Sequence, residues 1–91
     1  MAWNNLGSAL QKAGRVGEAV EAHSKAWGIY HEYEDWYRAG TALQNLAFAH
    51  EAARRPAEAR AHYLQAADAY SRANAPAEAA EARAQADELT P

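Results

Sequence analysis

Four histidines and twelve carboxylates are the side chains of this 91-residue chain with chemistry to offer. Zinc on a helix needs two His one turn apart on one face. His23 follows Glu18 by five positions and precedes His31 by eight. His50 and His62 fall on different helices of one predicted hairpin. No ligand pair forms, so no metal is expected. The absence of Cys excludes disulfide and thiolate chemistry and leaves the redox compartment open. Glu18, Glu21, Glu32, Glu34, Glu58, Glu78, Glu81 and Glu88 are spread along helix faces. A catalytic carboxylate pair needs a cleft that brings two acids together, and no such convergence is read here. No Gly-rich phosphate loop and no Ser/His/Asp arrangement tied to a turn is present. The expectation is a noncatalytic protein with no catalytic residue and no cofactor. Lys12, Arg15, Arg54 and Arg55 gather near predicted turns and read as solvated loop charge. A net charge of −3 and a pI near 5.7 argue against nucleic acid.

The elements that carry these residues follow from a repeat. Trp3-Asn4-Asn5-Leu6-Gly7-Ser8-Ala9-Leu10 returns in part forty positions later, with Asn45-Leu46 for Asn5-Leu6 and Ala49 for Ala9. Glu18-Ala19, Ala26 and Tyr30 return as Glu58-Ala59, Ala66 and Tyr70. A fixed period of this size marks a repeat architecture. Trp3, Leu6, Leu10 and Ala13 recur at helical spacing and draw one apolar stripe. Ala19, Ala22, Ala26, Ile29, Tyr30 and Tyr33 draw a second after the turn at Gly14-Arg15-Val16-Gly17. Two helices joined by a short turn make an antiparallel hairpin. Gly7 and Ala19 are small where its helices would cross. A single hairpin cannot bury both apolar faces, so the next one stacks on it.

Composition sets the character of that stack. Alanine supplies 26 residues, whereas Val, Ile, Leu and Phe together supply 10. Alanine is the best helix former, and three Trp with five Tyr add apolar surface. A very helical, modestly stable domain with thin alanine packing is expected. No apolar run approaches a membrane span and no signal segment opens the chain, so a cytoplasmic protein is expected.

The first copy resembles the tetratricopeptide repeat through Trp3, Leu6, Gly7, Leu10, Gly14, Ala19, His23 and Ala26. Leu10 and His23 stand where aromatics are usual. The second copy offers Leu43, Leu46, Ala47, His50, Ala59, Tyr63 and Ala66. It departs at Leu43 for Trp, Ala47 for Gly and His50 for the aromatic. The forty-residue spacing is similar to a long-helix variant found in bacterial regulatory proteins. The resemblance implies an all-α fold, an α-solenoid of two such hairpins plus a C-terminal capping helix. Its five antiparallel helices would stack with a right-handed superhelical turn. It also implies that His23 and His50 are packing residues.

Residues 1–34 form the first repeat in this reading, 35–74 the second and 75–91 the capping helix, all in one domain. The first helix, near 3–13, has no capping residue before Trp3, which suits a segment of a longer protein. The second runs from about Val16 to Glu34, after a left-handed cap at Gly14. Tyr30, Tyr33, Trp36 and Tyr37 are expected to cluster at the joint between repeats. Asp35 caps the third helix, Trp36 to about Ala53. Pro56 and Pro76 open the fourth helix, to about Ala73, and the fifth, to about Leu89, with Asn74 as a C-cap between them. Arg83, Ala86 and Asp87 replace the signature residues in the fifth, the pattern of a polar terminal helix. Thr90-Pro91 reads as a C-terminal end.

The resemblance places a peptide-binding groove on the first helix of each repeat. Asn4, Ser8, Gln11 and Lys12 share that face in the first copy, and Gln44, Phe48, Glu51 and Ala52 in the second. Asn5 and Asn45 stand where the family places an Asn that hydrogen-bonds ligand backbone, which fixes an extended peptide whatever its side chains. Phe48 is apolar at the groove centre, like an anchor residue. Only Lys12 suits a carboxylate clamp, since Ala52 replaces its counterpart. The expected function is binding of a protein or peptide partner, as a scaffold or sensor part of a larger bacterial regulator. The alternative is self-association as a homodimer, by pairing or by hairpin exchange.

Overall fold

The computed structural model describes residues 14–89. Four helices fill this span: α1 (Val16–Glu32), α2 (Trp36–Ala52), α3 (Pro56–Arg72) and α4 (Pro76–Glu88). They correspond to the second to fifth helices expected from the sequence. The first expected helix, near 3–13, lies outside the described residues. Successive helices start twenty residues apart, and each packs on its neighbours in sequence. No helix among the described residues is long and apolar enough to cross a membrane.

One connector is used three times. Glu34, Arg54 and Asn74 hold left-handed φ values of 56°, 60° and 57°. Their backbone N–H groups donate to the carbonyls of His31, Glu51 and Ser71 at 3.1, 3.0 and 3.1 Å. The following residues, Asp35, Arg55 and Ala75, donate to Tyr30, His50 and Tyr70 at 2.9, 2.8 and 2.9 Å. This paired pattern satisfies the orphan carbonyls at a helix end and turns the chain back. It also ends each helix one or two residues short of the boundary expected from the sequence, because a residue at positive φ cannot continue a right-handed helix. Gly14, at φ 81°, opens the described span with the same left-handed geometry.

Each connector ends on the N-cap of the next helix. The Asp35 side chain accepts from the Arg38 N–H at 3.2 Å. At Arg15, Arg55 and Ala75 no side chain caps, and Pro56 and Pro76 occupy the first turns of α3 and α4. Proline tolerates that place because the N–H it lacks would have no intrahelical partner there.

Side-chain contacts order the helices in two layers. Trp27 and His31 of α1 face Leu64, Gln65 and Asp68 of α3. On the other side, α2 reaches α4 through Tyr37 and Gln44, which bond Glu78 and Gln85. Alanine dominates the core between the layers: Ala19, Ala39, Ala42, Ala59, Ala66 and Ala82 are fully buried. Tyr30, Leu43, Leu46, Tyr63 and Tyr70 supply its bulk. A buried Leu or Phe contributes about 1.5–3 kcal/mol, and a methyl group much less. The fold therefore gains close helix approach rather than a large transfer free energy.

Candidate functional site

Tyr37, Thr41, Gln44, Phe48 and Glu51 lie three or four residues apart on α2, so they form one stripe along its axis. That stripe meets two tyrosines rising from α3. The Tyr70 hydroxyl donates to Gln44 Oε1 at 3.1 Å and lies 3.0 Å from Thr41 Oγ1. Its ring meets the Tyr37 ring edge-on at 5.4 Å. Tyr63, fully buried, meets the Phe48 ring edge-on at 5.8 Å, and the Glu51 carboxylate, one turn beyond Phe48, acts on its hydroxyl. Helix α4 closes the far side, where Glu78 accepts from the Tyr37 hydroxyl at 2.9 Å. Gln44 Nε2 donates to Gln85 at 3.2 Å.

Electrostatics on this face are one-sided. Burial, then Glu51 and more weakly Glu88, push the Tyr63 hydroxyl far above its ordinary pKa. The hydrogen bond to Glu78 and that carboxylate's charge raise Tyr37. Burial raises Tyr70, with Glu78 and Glu81 adding to it against the Thr41 hydrogen bond. All three hydroxyls therefore remain protonated donors at neutral pH.

Of the residues expected in the groove, Gln44, Phe48 and Glu51 are brought together on this face. Gln44 is half-buried and committed to Tyr70 and Gln85, so it joins helices. Asn45 is half-buried beside it. Phe48 keeps 41% of its surface exposed and Tyr37 48%. Asn4, Asn5, Ser8, Gln11 and Lys12 lie outside the described residues. Tyr37 and Thr41 were not expected in the stripe, yet stepping back from Phe48 and Gln44 at helical spacing reaches both.

The expected aromatic cluster at the joint is instead divided. Tyr30 is buried in the core, and Tyr33 on the connector is 78% exposed. Trp36 and Tyr37 are adjacent in sequence, so their side chains leave α2 about 100° apart. Tyr37 joins Tyr70, whereas Trp36 joins the opposite layer. There His31 meets Trp36 edge-on at 5.6 Å and lies tilted by 36° against Trp27 at 5.3 Å. The Arg72 guanidinium covers Trp36 at 4.9 Å and pairs with Asp68 at 3.2 Å. These side chains line a cleft of about 500 Å³ with Leu43 and Leu64.

The histidines pack. His23 is fully buried and His50 nearly so. His50 and His62 stack with centroids 5.0 Å apart and planes 11° apart. Ring nitrogens donate within the ring plane, so stacked imidazoles do not aim at a common ion. Among the described residues, no three His, Asp or Glu side chains are grouped to hold a metal.

Paired helices stacked in two layers, with exposed aromatic rings on one face, define a helical-repeat protein. The family model of the tetratricopeptide repeat matches residues 1–72, and the chain belongs to that family. The family points to a protein–protein interaction module and is generally noncatalytic. Comparison with the curated proteins finds no match.

Proposed function

We propose that the chain is a noncatalytic module that binds a peptide or partner protein along the α2 stripe. Asn45, Phe48 and Glu51 supply the contact in the second repeat, with Gln44 at its base. The first repeat contributes Asn4, Asn5, Ser8, Gln11 and Lys12 to the partner contact. The observation that carries this reading is the pair of exposed rings, Tyr37 and Phe48, each held edge-on by a tyrosine of α3. Rigid aromatic side chains bind at low entropic cost and serve as anchors. Setting the module within a larger bacterial regulator rests on the forty-residue spacing.

Selection of peptides from a displayed random library tests the reading. Selected peptides should bind the wild-type chain and lose about tenfold or more on Phe48→Ala, with a smaller loss on Asn45→Ala. Unchanged binding in both variants would overturn it. Sedimentation at micromolar concentration separates the self-association alternative. A dimer that dissociates on Phe48→Ala would mean that a second copy occupies this face.

A further inference from the structure

We propose that the face between α2 and α4 selects a basic extended segment, with two Lys or Arg side chains about five residues apart. This rests on the binding reading above and names its partner chemistry. Four carboxylates border the face. Glu51 stands one turn beyond Phe48 on α2, and Glu88 stands one turn beyond Gln85, the α4 partner of Gln44. Glu78 accepts from Tyr37, and Glu81 acts with Glu78 on Tyr70. The acids thus form two pairs, Glu51 with Glu88 beside Phe48 and Glu78 with Glu81 beside Tyr37. The cations of the two helices are engaged elsewhere, Arg38 with Asp35 at 3.4 Å and Arg83 with Ser71 of α3 at 3.3 Å.

Spacing supplies the rest. Tyr37 and Phe48 are eleven residues apart on one helix, or about 16 Å at 1.5 Å per residue. An extended chain covers that distance in about five residues at 3.3 Å each. A basic side chain at each end lays its aliphatic stem on an exposed ring and carries its charge to the adjoining acid pair. Ring and carboxylate then recognise the same cation. An acidic segment would meet four like charges, so the face discriminates by repulsion as well as attraction.

The test uses the full chain and three fluorescent peptides of about nine residues in a Ser/Ala background. One carries two Lys about five positions apart, one carries Glu in their place, and one carries neither. Anisotropy should show binding of the Lys peptide alone, weakening as salt rises. The triple variant E78Q/E81Q/E88Q keeps an acceptor for Tyr37 and should lower that affinity by about tenfold or more. Its far-UV circular dichroism should match the wild type. Equal binding of the neutral or acidic peptide, still sensitive to Phe48→Ala, would overturn the basic preference and leave the binding face standing. Lys-peptide binding unaffected by the triple variant would also overturn the preference. Failure of the Lys peptide to bind, alongside library peptides that do bind through Phe48, would reject this inference alone. If library peptides fail too, the binding face falls with it.

Discussion

The ring of Tyr70 packs directly on the backbone of Gly40, where a β-carbon would fall 2.9 Å from Cδ1 and 3.0 Å from Cε1. Tyr70 has nowhere to move. Tyr37 holds its ring edge-on, and Gln44 and Thr41 hold its hydroxyl. The glycine is therefore what lets α3 send a tyrosine between α2 and α4. Gly40→Ala should destabilise the fold by about 1–2 kcal/mol, because overpacking outweighs a helix-propensity gain of up to about 1 kcal/mol. Urea unfolding monitored by tyrosine and tryptophan fluorescence measures the difference. In a Tyr70→Ala background the clashing ring is absent, and the same substitution should become neutral or stabilising. A loss of equal size in both backgrounds would show that the contact is not the cause.

Gly40 also shows where sequence reasoning stops. The helices were legible from apolar periodicity, and their ends from Asp35, Asn74 and the two prolines at first-turn positions. These signals are local, because a cap or a proline acts on the next few residues. Nothing local marks Gly40, since its role is set by a residue thirty positions away. The site divides in the same way. Spacing along α2 places Gln44, Phe48 and Glu51 on one face without reference to any other helix. Pairing with Glu78, Gln85 and the α3 tyrosine hydroxyls depends on how helices stack, which periodicity does not encode. The aromatic cluster divides because residues adjacent in sequence leave a helix about 100° apart, so Trp36 and Tyr37 reach different layers.

The connectors carry a removable strain. Glu34 and Arg54 occupy left-handed φ values that cost a residue with a β-carbon about 1 kcal/mol, whereas Asn tolerates them better. Glu34→Gly and Arg54→Gly should each raise stability by about 0.5–1 kcal/mol, and Asn74→Gly by less. The two larger gains should add, since the sites lie in separate connectors. Gly14→Ala should work in the opposite direction. Denaturant midpoints at constant slope would record all four effects, and a loss on Arg54→Gly would contradict this account of the turn.

Helix capping offers a similar comparison. Asp35 caps α2 through the Arg38 N–H, so Asp35→Ala should cost about 1 kcal/mol. Arg55 occupies the same place before α3 without a side-chain cap. Arg55→Asp should therefore stabilise by about 0.5–1 kcal/mol, from the new cap and from a negative charge at a helix N-terminus. Thermal unfolding should show opposite shifts for the two variants. Shifts of the same sign would indicate that other contacts of these residues dominate.

Acid should loosen the stack through its buried histidines. Burial lowers the pKa of His23 below the ordinary 6.5. At His50 burial acts first, then the neighbouring charge of His62, with Glu58 opposing and Arg55 assisting more weakly. Each imidazole is held neutral in the fold while the unfolded chain takes up a proton near pH 6.5. The unfolded state then binds more protons as pH falls, so stability is full above about 6.5 and declines below it. The slope is at most about 1.4 kcal/mol per pH unit for each histidine. Leu10 stands at the position matching His50 in the first copy, so leucine suits that packing site. His50→Leu should leave a folded chain whose urea midpoint falls less between pH 7.5 and 5.5 than that of the wild type. Parallel pH profiles for the two proteins would show that His50 takes no part in the acid response.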